Sequence, residues 1–203
     1  MADKPTLQAF LSPAGEAVFP WITRADTEHD ANGVFHTDLS VPFEEAQDFI
    51  AQLEKARDSF VQTLPVNKQK SLTPRPVYFE EMTRPEYPEG ATKEQKAEIR
   101  AAWDGEPTGN VIFRFKLKNN VTTQAGETFT QTPVVVDDST GEDIEGAVYG
   151  GSIIRVKGQI VPYTNAAAGI VGVTLRMKAV FVIEQVGGSG GDGSDFWRNK
   201  DVA

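Results

Sequence analysis

The chain has 203 residues, 39% hydrophobic and 24% charged, with a formal net charge of −9, two histidines and no cysteine. That composition is globular and long enough for one well-cored domain. It excludes disulfides and thiolate metal sites, and its acidity taken as a whole argues against a polyanion as partner. The first residues lack the apolar core of a signal peptide and no run approaches roughly 18 apolar residues, so the chain is expected to be soluble, cytoplasmic and away from membranes.

In chain order, two short strands are predicted around the turn at 12–15, followed by a polar loop over 24–32 and a strand from Gly33 to Leu39. Residues 43–64 form the clearest helix: Phe43, Ala46, Phe49, Ile50, Leu53, Ala56, Phe60, Val61 and Leu64 recur at three- and four-residue spacings. Glu44 and Glu45 suit its first turn, Pro65 suits its end, and it should pack across the end or one face of a sheet. The basic stretch 67–76 reads as a loop. A short strand starts at Val77, and a second helix runs from Thr92 to about Trp103, with Thr92 and Gln95 at capping-box spacing. Residues 77–110 therefore read as an insertion.

The second half is nearly all strand. Over 111–118, Val111, Phe113, Phe115 and Leu117 fall on one face, and Ile112, Arg114, Lys116 and Lys118 on the other. Asn119 and Asn120 are a turn signal, 121–131 read as polar with Gly126, 133–136 as a strand and 137–145 as a loop. A strand over 152–161 puts Arg155 and Lys157 on one face, and a loop is predicted over 162–168. The longest strand, 169–186, puts Val171, Val173, Leu175, Met177, Ala179, Phe181 and Ile183 on one face and Arg176 and Lys178 on the other. After Val186 the Gly/Ser-rich composition of 187–194 reads as a flexible linker. The expected organisation is a domain over 1–186 and a tail over 187–203.

Signals for catalysis are thin. His29 and His36 do not make a metal cluster, and no phosphate-cradling glycine motif opens a helix. The acids Asp137, Asp138, Glu142 and Asp143 are the ones an oxygen-ligated metal nuclease would use. The expectation is no enzyme, no metal and no cofactor. The signal for binding is cumulative, because three strands each pair an apolar face with alternating cations. Arg114, Lys116, Lys118, Arg155, Lys157, Arg176 and Lys178 would track phosphates, with Lys68, Lys70 and Arg75 extending the path. Trp21, Tyr78, Phe79 and Tyr163 are the stacking candidates, whereas Phe113, Phe115 and Phe181 belong to the core. The pattern predicts a mainly β, OB-fold-like antiparallel barrel with one long helix, a short inserted helix and a flexible C-terminal tail. Arg114, Lys116 and Lys118 are expected on a concave face, across from Arg176 and Lys178. A non-enzymatic virion or assembly barrel is the alternative.

The segments SPAGEAVFPW at 12–21, DT at 26–27, GVFHTDL at 33–39, the helix after them, and NAAAGIVGVTLRMKAVFV at 165–182 resemble, in order and spacing, the single-stranded DNA-binding proteins of tailed phages. The resemblance covers most of 7–186. It implies an OB-fold that coats single-stranded DNA in phage replication and recombination without a cofactor, in proteins that can be acidic overall. It also implies a tail that contacts replication or recombination proteins, here through Asp195, Phe196 and Trp197, and it leaves room for a homodimer.

Overall fold

The structure, a computed structural model, describes residues 7–28, 30–123 and 125–186. The tail at 187–203, with Asp195, Phe196 and Trp197, lies outside the described residues, as does His29. In chain order the elements are β1 (Ala9–Leu11), β2 (Gly15–Asp26), β3 (Val34–Pro42), α1 (Gln47–Thr63), α2 (Val66–Ser71), β4 (Thr73–Pro74), β5 (Phe79–Met82), α3 (Lys93–Ala101), β6 (Pro107–Lys118), β7 (Asn120–Thr122), β8 (Thr128–Thr130), β9 (Val134–Asp137), β10 (Ile153–Asn165) and β11 (Ile170–Glu184).

Five strands close into a barrel in the order β2, β3, β6, β11, β10 and back to β2. Every seam is antiparallel except β6–β11, where Leu175 pairs with Phe115 and Arg176 with Lys116 in parallel. The expected antiparallel barrel thus has one parallel seam. Closure is tight where β2 begins, because Gly15 pairs with Ile154 of β10 beside the β3 backbone. A Cβ on Gly15 would stand 2.5 Å from the Ser40 carbonyl oxygen, so only glycine lets the strands meet there. Alternation sends Val111, Phe113, Phe115 and Leu117 into the barrel, each at most 2% exposed.

Helix α1 stoppers one end of the barrel. Its apolar stripe buries Phe49, Ile50, Leu53 and Ala56, and the Phe49 ring meets Phe113 edge-on at 4.9 Å. Phe10 bridges Phe49 and Phe115 at 5.5 and 5.7 Å. Ring pairs of this kind add about 0.5–1.5 kcal/mol beyond the area they bury. The helix begins at Gln47 rather than 43, since 43–46 are a turn anchored on the Pro42 carbonyl. Helix α3 carries the expected capping box: the Gln95 N–H donates to Thr92 Oγ1 at 3.3 Å, and the Thr92 N–H donates to Gln95 Oε1 at 2.9 Å.

Several sequence expectations are corrected. Strand β2 continues through Trp21 to Asp26 across a register shift, where Phe19 takes a positive φ of 49°. The stretch 67–76, expected as a loop, opens with helix α2. Strand β10 runs on to Asn165, which leaves 166–169 as its turn into β11. The faces of β11 change phase midway. Lys157 pairs with Ala179 but Gly158 with Met177, so Lys178 is an extra residue in a β-bulge. Beyond it Val180 and Val182 point inward, while Ala179, Phe181 and Ile183 point outward. Phe181 is therefore outside the core assigned to it.

Candidate nucleic-acid interface

The outer faces of the barrel strands carry the cations. Register aligns one residue from each strand into a row across the barrel: Trp21 opposite His36, His36 opposite Lys116, Lys116 beside Arg176, and Arg176 opposite Gln159. Neighbouring strands lie about 4.8 Å apart, so this row is a continuous strip. Lys118 on β6, Lys178 on β11 and Lys157 on β10 lie one step toward one end, and all three are exposed. Arg155, half-buried and opposite Phe181, lies a further step along. Arg114 lies one step toward the other end, with Tyr163 beyond it on β10. From Tyr163 to Lys157 is six residues of strand, about 20 Å at 3.3 Å per residue. The cations of β6 and β11 thus sit side by side on the outer surface. The expectation of two facing banks fails because β6 and β11 are hydrogen-bonded neighbours.

Near Tyr163, β6 and β11 part, and the segment from β4 to β5 is laid between them: β4 pairs with β11, and β5 with β6. A cleft of about 100 Å³ opens there, lined by Arg75, Pro76, Val77, Phe79, Arg114, Tyr163, Val173 and Leu175. Four residues chosen from the sequence for separate reasons, Arg75, Phe79, Arg114 and Tyr163, meet in it. The guanidinium of Arg114 lies 4.5 Å from the Phe79 ring centroid, and its Nε donates to Asp38 Oδ2 at 3.3 Å. Burial pushes the Asp38 carboxyl above the ordinary range, against the downward pull of Arg114, His36 and Lys116. Tyr163 pairs with Gly172, where a Cβ would stand 2.9–3.1 Å from the phenol, so this glycine lets the ring lie against the strand. Arg75 is held by its backbone: its N–H donates to Val171 O at 2.8 Å, and its carbonyl accepts from Arg57 Nη1 at 3.0 Å.

The other candidates divide. Trp21 is half-buried on the face, with the Arg24 guanidinium 5.2 Å from its ring. Tyr78 is a correction: it packs against the core with its ring 6.1 Å from Phe43, because strand alternation turns it away from the side that Phe79 takes. Lys68 and Lys70 are exposed on α2 and do not line the cleft. Asp137 is spent on its own loop, where its Oδ1 accepts from the N–H and hydroxyl groups of Ser139 and Thr140. Those bonds hold its carboxyl down to about 2. Among the described residues no three His, Asp or Glu side chains are grouped to hold a metal.

Sequence reasoning missed the partners that shape the face. Arg24 covers Trp21, and Arg84 lies 5.1 Å over the exposed Phe19 ring. Glu81 straps one end of the face by accepting from Ser40 Oγ, Thr108 Oγ1 and Asn110 Nδ2 at 3.0–3.2 Å. His36 Nε2 lies 3.2 Å from Asp26 Oδ2. The Arg84–Phe19 contact joins segments far apart in sequence, so no local spacing announces it.

In OB barrels the face of the second and third strands, with the loops after the first and fourth, is the binding surface. Here those are β3 and β6, with the loops 27–33 and 166–169. A five-stranded barrel of this order, with cations and rings on that face, defines the class of OB-type single-strand nucleic-acid binders. The family model "Single-stranded DNA-binding protein, Bacteriophage T7" matches residues 15–185, and the chain belongs to that family. The crystal structure of gp2.5, a single-stranded DNA-binding protein encoded by bacteriophage T7, is similar with a TM-score of 0.62 at 23% identity, over 91% of this chain and 96% of that one. The single-stranded DNA-binding protein of bacteriophage Enc34 is similar in a C-terminally truncated form, with a TM-score of 0.53 at 10% identity over 88% and 87% of the two chains. Its complex with ssDNA gives 0.51 at 9% identity over 90% and 89%. No curated protein matches the chain. Among the described residues no helix is long and apolar enough to cross a membrane.

Proposed function

We propose that this phage single-stranded DNA-binding protein holds its strand on the outer face of β3, β6, β11 and β10, without regard to sequence. The observation that carries the reading is the row Trp21–His36–Lys116–Arg176–Gln159 and the cations beside it. Lys116, Lys118, Lys157, Arg176 and Lys178 take phosphates, while Trp21, Phe79 and Tyr163 offer rings. Arg155 extends the path at one end, and Lys68 and Lys70 flank the other beyond the cleft. Charges and π-faces of this kind do not discriminate among bases. The chain works as a binding protein in replication and recombination, in the cytoplasm of the infected host. Residues 1–186 form the binding domain. The tail at 187–203 docks replication or recombination proteins through Asp195, Phe196 and Trp197, and two copies of the chain pair as a homodimer.

The test is binding of fluorescent oligo-dT and of the matching duplex at two salt concentrations. The strand is expected to bind more tightly than the duplex, with affinity falling as salt rises. A folded protein that ignores oligo-dT at low salt overturns the reading.

A further inference from the structure

Strand β10 takes one edge of β11 along its whole length, and three strands share the other edge. In order along it, β4 pairs at Ile170 and Val171, β6 at Leu175 and Arg176, and β9 from Ala179 to Val182. The first and last of these belong to segments of opposite charge. Residues 65–76, which hold α2 and β4, contain Lys68, Lys70 and Arg75 and no acid. Residues 137–145, which lead out of β9, contain Asp137, Asp138, Glu142, Asp143 and Glu145 and no cation. From Val171 to Val182 the two ends stand about 36 Å apart at 3.3 Å per residue. Each end also exposes apolar side chains. Val66, 65% exposed, shares a face of α2 with Lys70. Val134 and Ile183, 56% and 42% exposed, lie either side of Phe181 on the outer face, and the Asp138 N–H donates to Val182 O next to Ile183. Among the described residues none of Lys68, Lys70, Asp138, Glu142 and Asp143 makes a salt bridge.

A strand held on the outer face passes both ends, and the carboxylates at the β9 end repel its phosphates. A DNA strand has a direction, so copies bound side by side face the same way, and the β9 end of one meets the α2 end of the next. Resting on the reading of this face as a single-strand site, we propose that consecutive copies bind head to tail. Val66, Lys68 and Lys70 of one copy meet Val134, Asp138, Asp143 and Ile183 of its neighbour. The arriving lysines neutralise carboxylates that oppose the strand, so a second copy binds more tightly than a lone one. The contact joins two different patches and does not close on itself, unlike the two-fold contact of a homodimer. Its exposed ion pairs are individually weak, and the shared strand supplies the effective concentration that makes them count.

Stoichiometric titration of oligo-dT at low salt first fixes the length that one copy covers. Strands of one and two such lengths are then titrated. The readout is the affinity of the second copy on the long strand divided by that of a lone copy, corrected for the number of open positions. This ratio should be about 5 to 150, the usual range of coupling between two sites, and should fall as salt rises. Asp138→Lys/Asp143→Lys should bring it to unity, and so should Lys68→Glu/Lys70→Glu. All four substitutions together should restore it, because the charges are then exchanged across the contact. Val134→Ala trims an exposed side chain, should lower the ratio, and stands in for a reversal that fails to fold by circular dichroism. A wild-type ratio of unity overturns the head-to-tail contact and leaves the single-strand reading standing. A ratio unmoved in the folded variants, or not restored in the combined one, overturns it too. Free protein whose sedimentation changes with the same substitutions assigns these residues to a homodimer and likewise overturns it. Binding of neither strand overturns the single-strand reading itself.

Discussion

Lys116 and Arg176 are register partners across the parallel seam, and both side chains are exposed. Lys118 and Lys178 continue the same two strands, and Lys157 lies opposite Ala179 next to the Lys178 bulge. Among the described residues none of these five makes a salt bridge, whereas Arg114 is engaged by Asp38. Each cation that neutralises a phosphate of a single strand contributes about 0.7 to the slope of log affinity against log salt. Five such contacts give a slope near −3.5 by that rule, and the double substitution Lys116→Ala/Arg176→Ala should reduce it to about −2.1. Both residues point away from the core built by Phe113, Phe115, Leu175 and Met177, so the melting temperature should hardly move. The assay is fluorescence anisotropy of labelled oligo-dT at four or five salt concentrations, with Lys55→Ala on the exposed side of α1 as control. A folded double variant with the wild-type slope would refute the argument, even if its affinity were lower. An altered slope in Lys55→Ala would show that net charge, rather than this face, sets the salt response.

Asp38→Asn removes the carboxylate that pairs with Arg114 and should tighten oligo-dT binding severalfold at pH 7, read by the same anisotropy titration. Because burial raises the Asp38 carboxyl, its charged form weakens the fold above its folded pKa, so the variant should melt no lower than wild type at pH 7 and lose any advantage as pH falls through that pKa. Asp137→Ala should lower the melting temperature at neutral pH. With the carboxyl held down to about 2, that deficit should be full above pH 4 and vanish between pH 4 and 2 on thermal melts, with DNA binding unmoved. Phe49→Ala unplugs the ring cluster with Phe10 and Phe113 and should cost about 3–5 kcal/mol in urea unfolding. Phe19→Gly relieves the positive φ of 49° and should raise stability by about 1 kcal/mol by the same measurement.

How far the sequence could be read depended on whether a signal was local. The strand 111–118 is regular, and β3 pairs with it throughout, so period two gave its faces correctly. The α1 stripe and the α3 capping box are likewise written within a few residues. The phase of β11 was lost because nothing near Lys178 announces a bulge, which arises from fitting β11 to both β10 and β9. Tyr78 and Phe79 are adjacent aromatics with no flanking period, and only the pairing of Phe79 with Ile112 decides which one faces outward. The cleft was legible as residues but not as a place, because its four polar and aromatic members come from four segments brought together by barrel closure.

The global charge of −9 was the strongest objection to a nucleic-acid partner, and it fails on a matter of range. Screening cuts off exposed charges at about 8 Å in physiological salt, less than the 20 Å spanned from Tyr163 to Lys157. A phosphate on the Lys116–Arg176 row therefore responds to the cations of neighbouring strands and to Asp38, and little to acids on the far side of the barrel. Within that screening length those acids oppose a strand that approaches their own side. An acidic protein with one basic face thus presents that face to DNA. As salt is lowered and the Debye length passes the width of the barrel, the repulsion should begin to cancel the attraction. The gain in affinity on dilution should then flatten below about 0.01 M salt, where the screening length reaches roughly 30 Å.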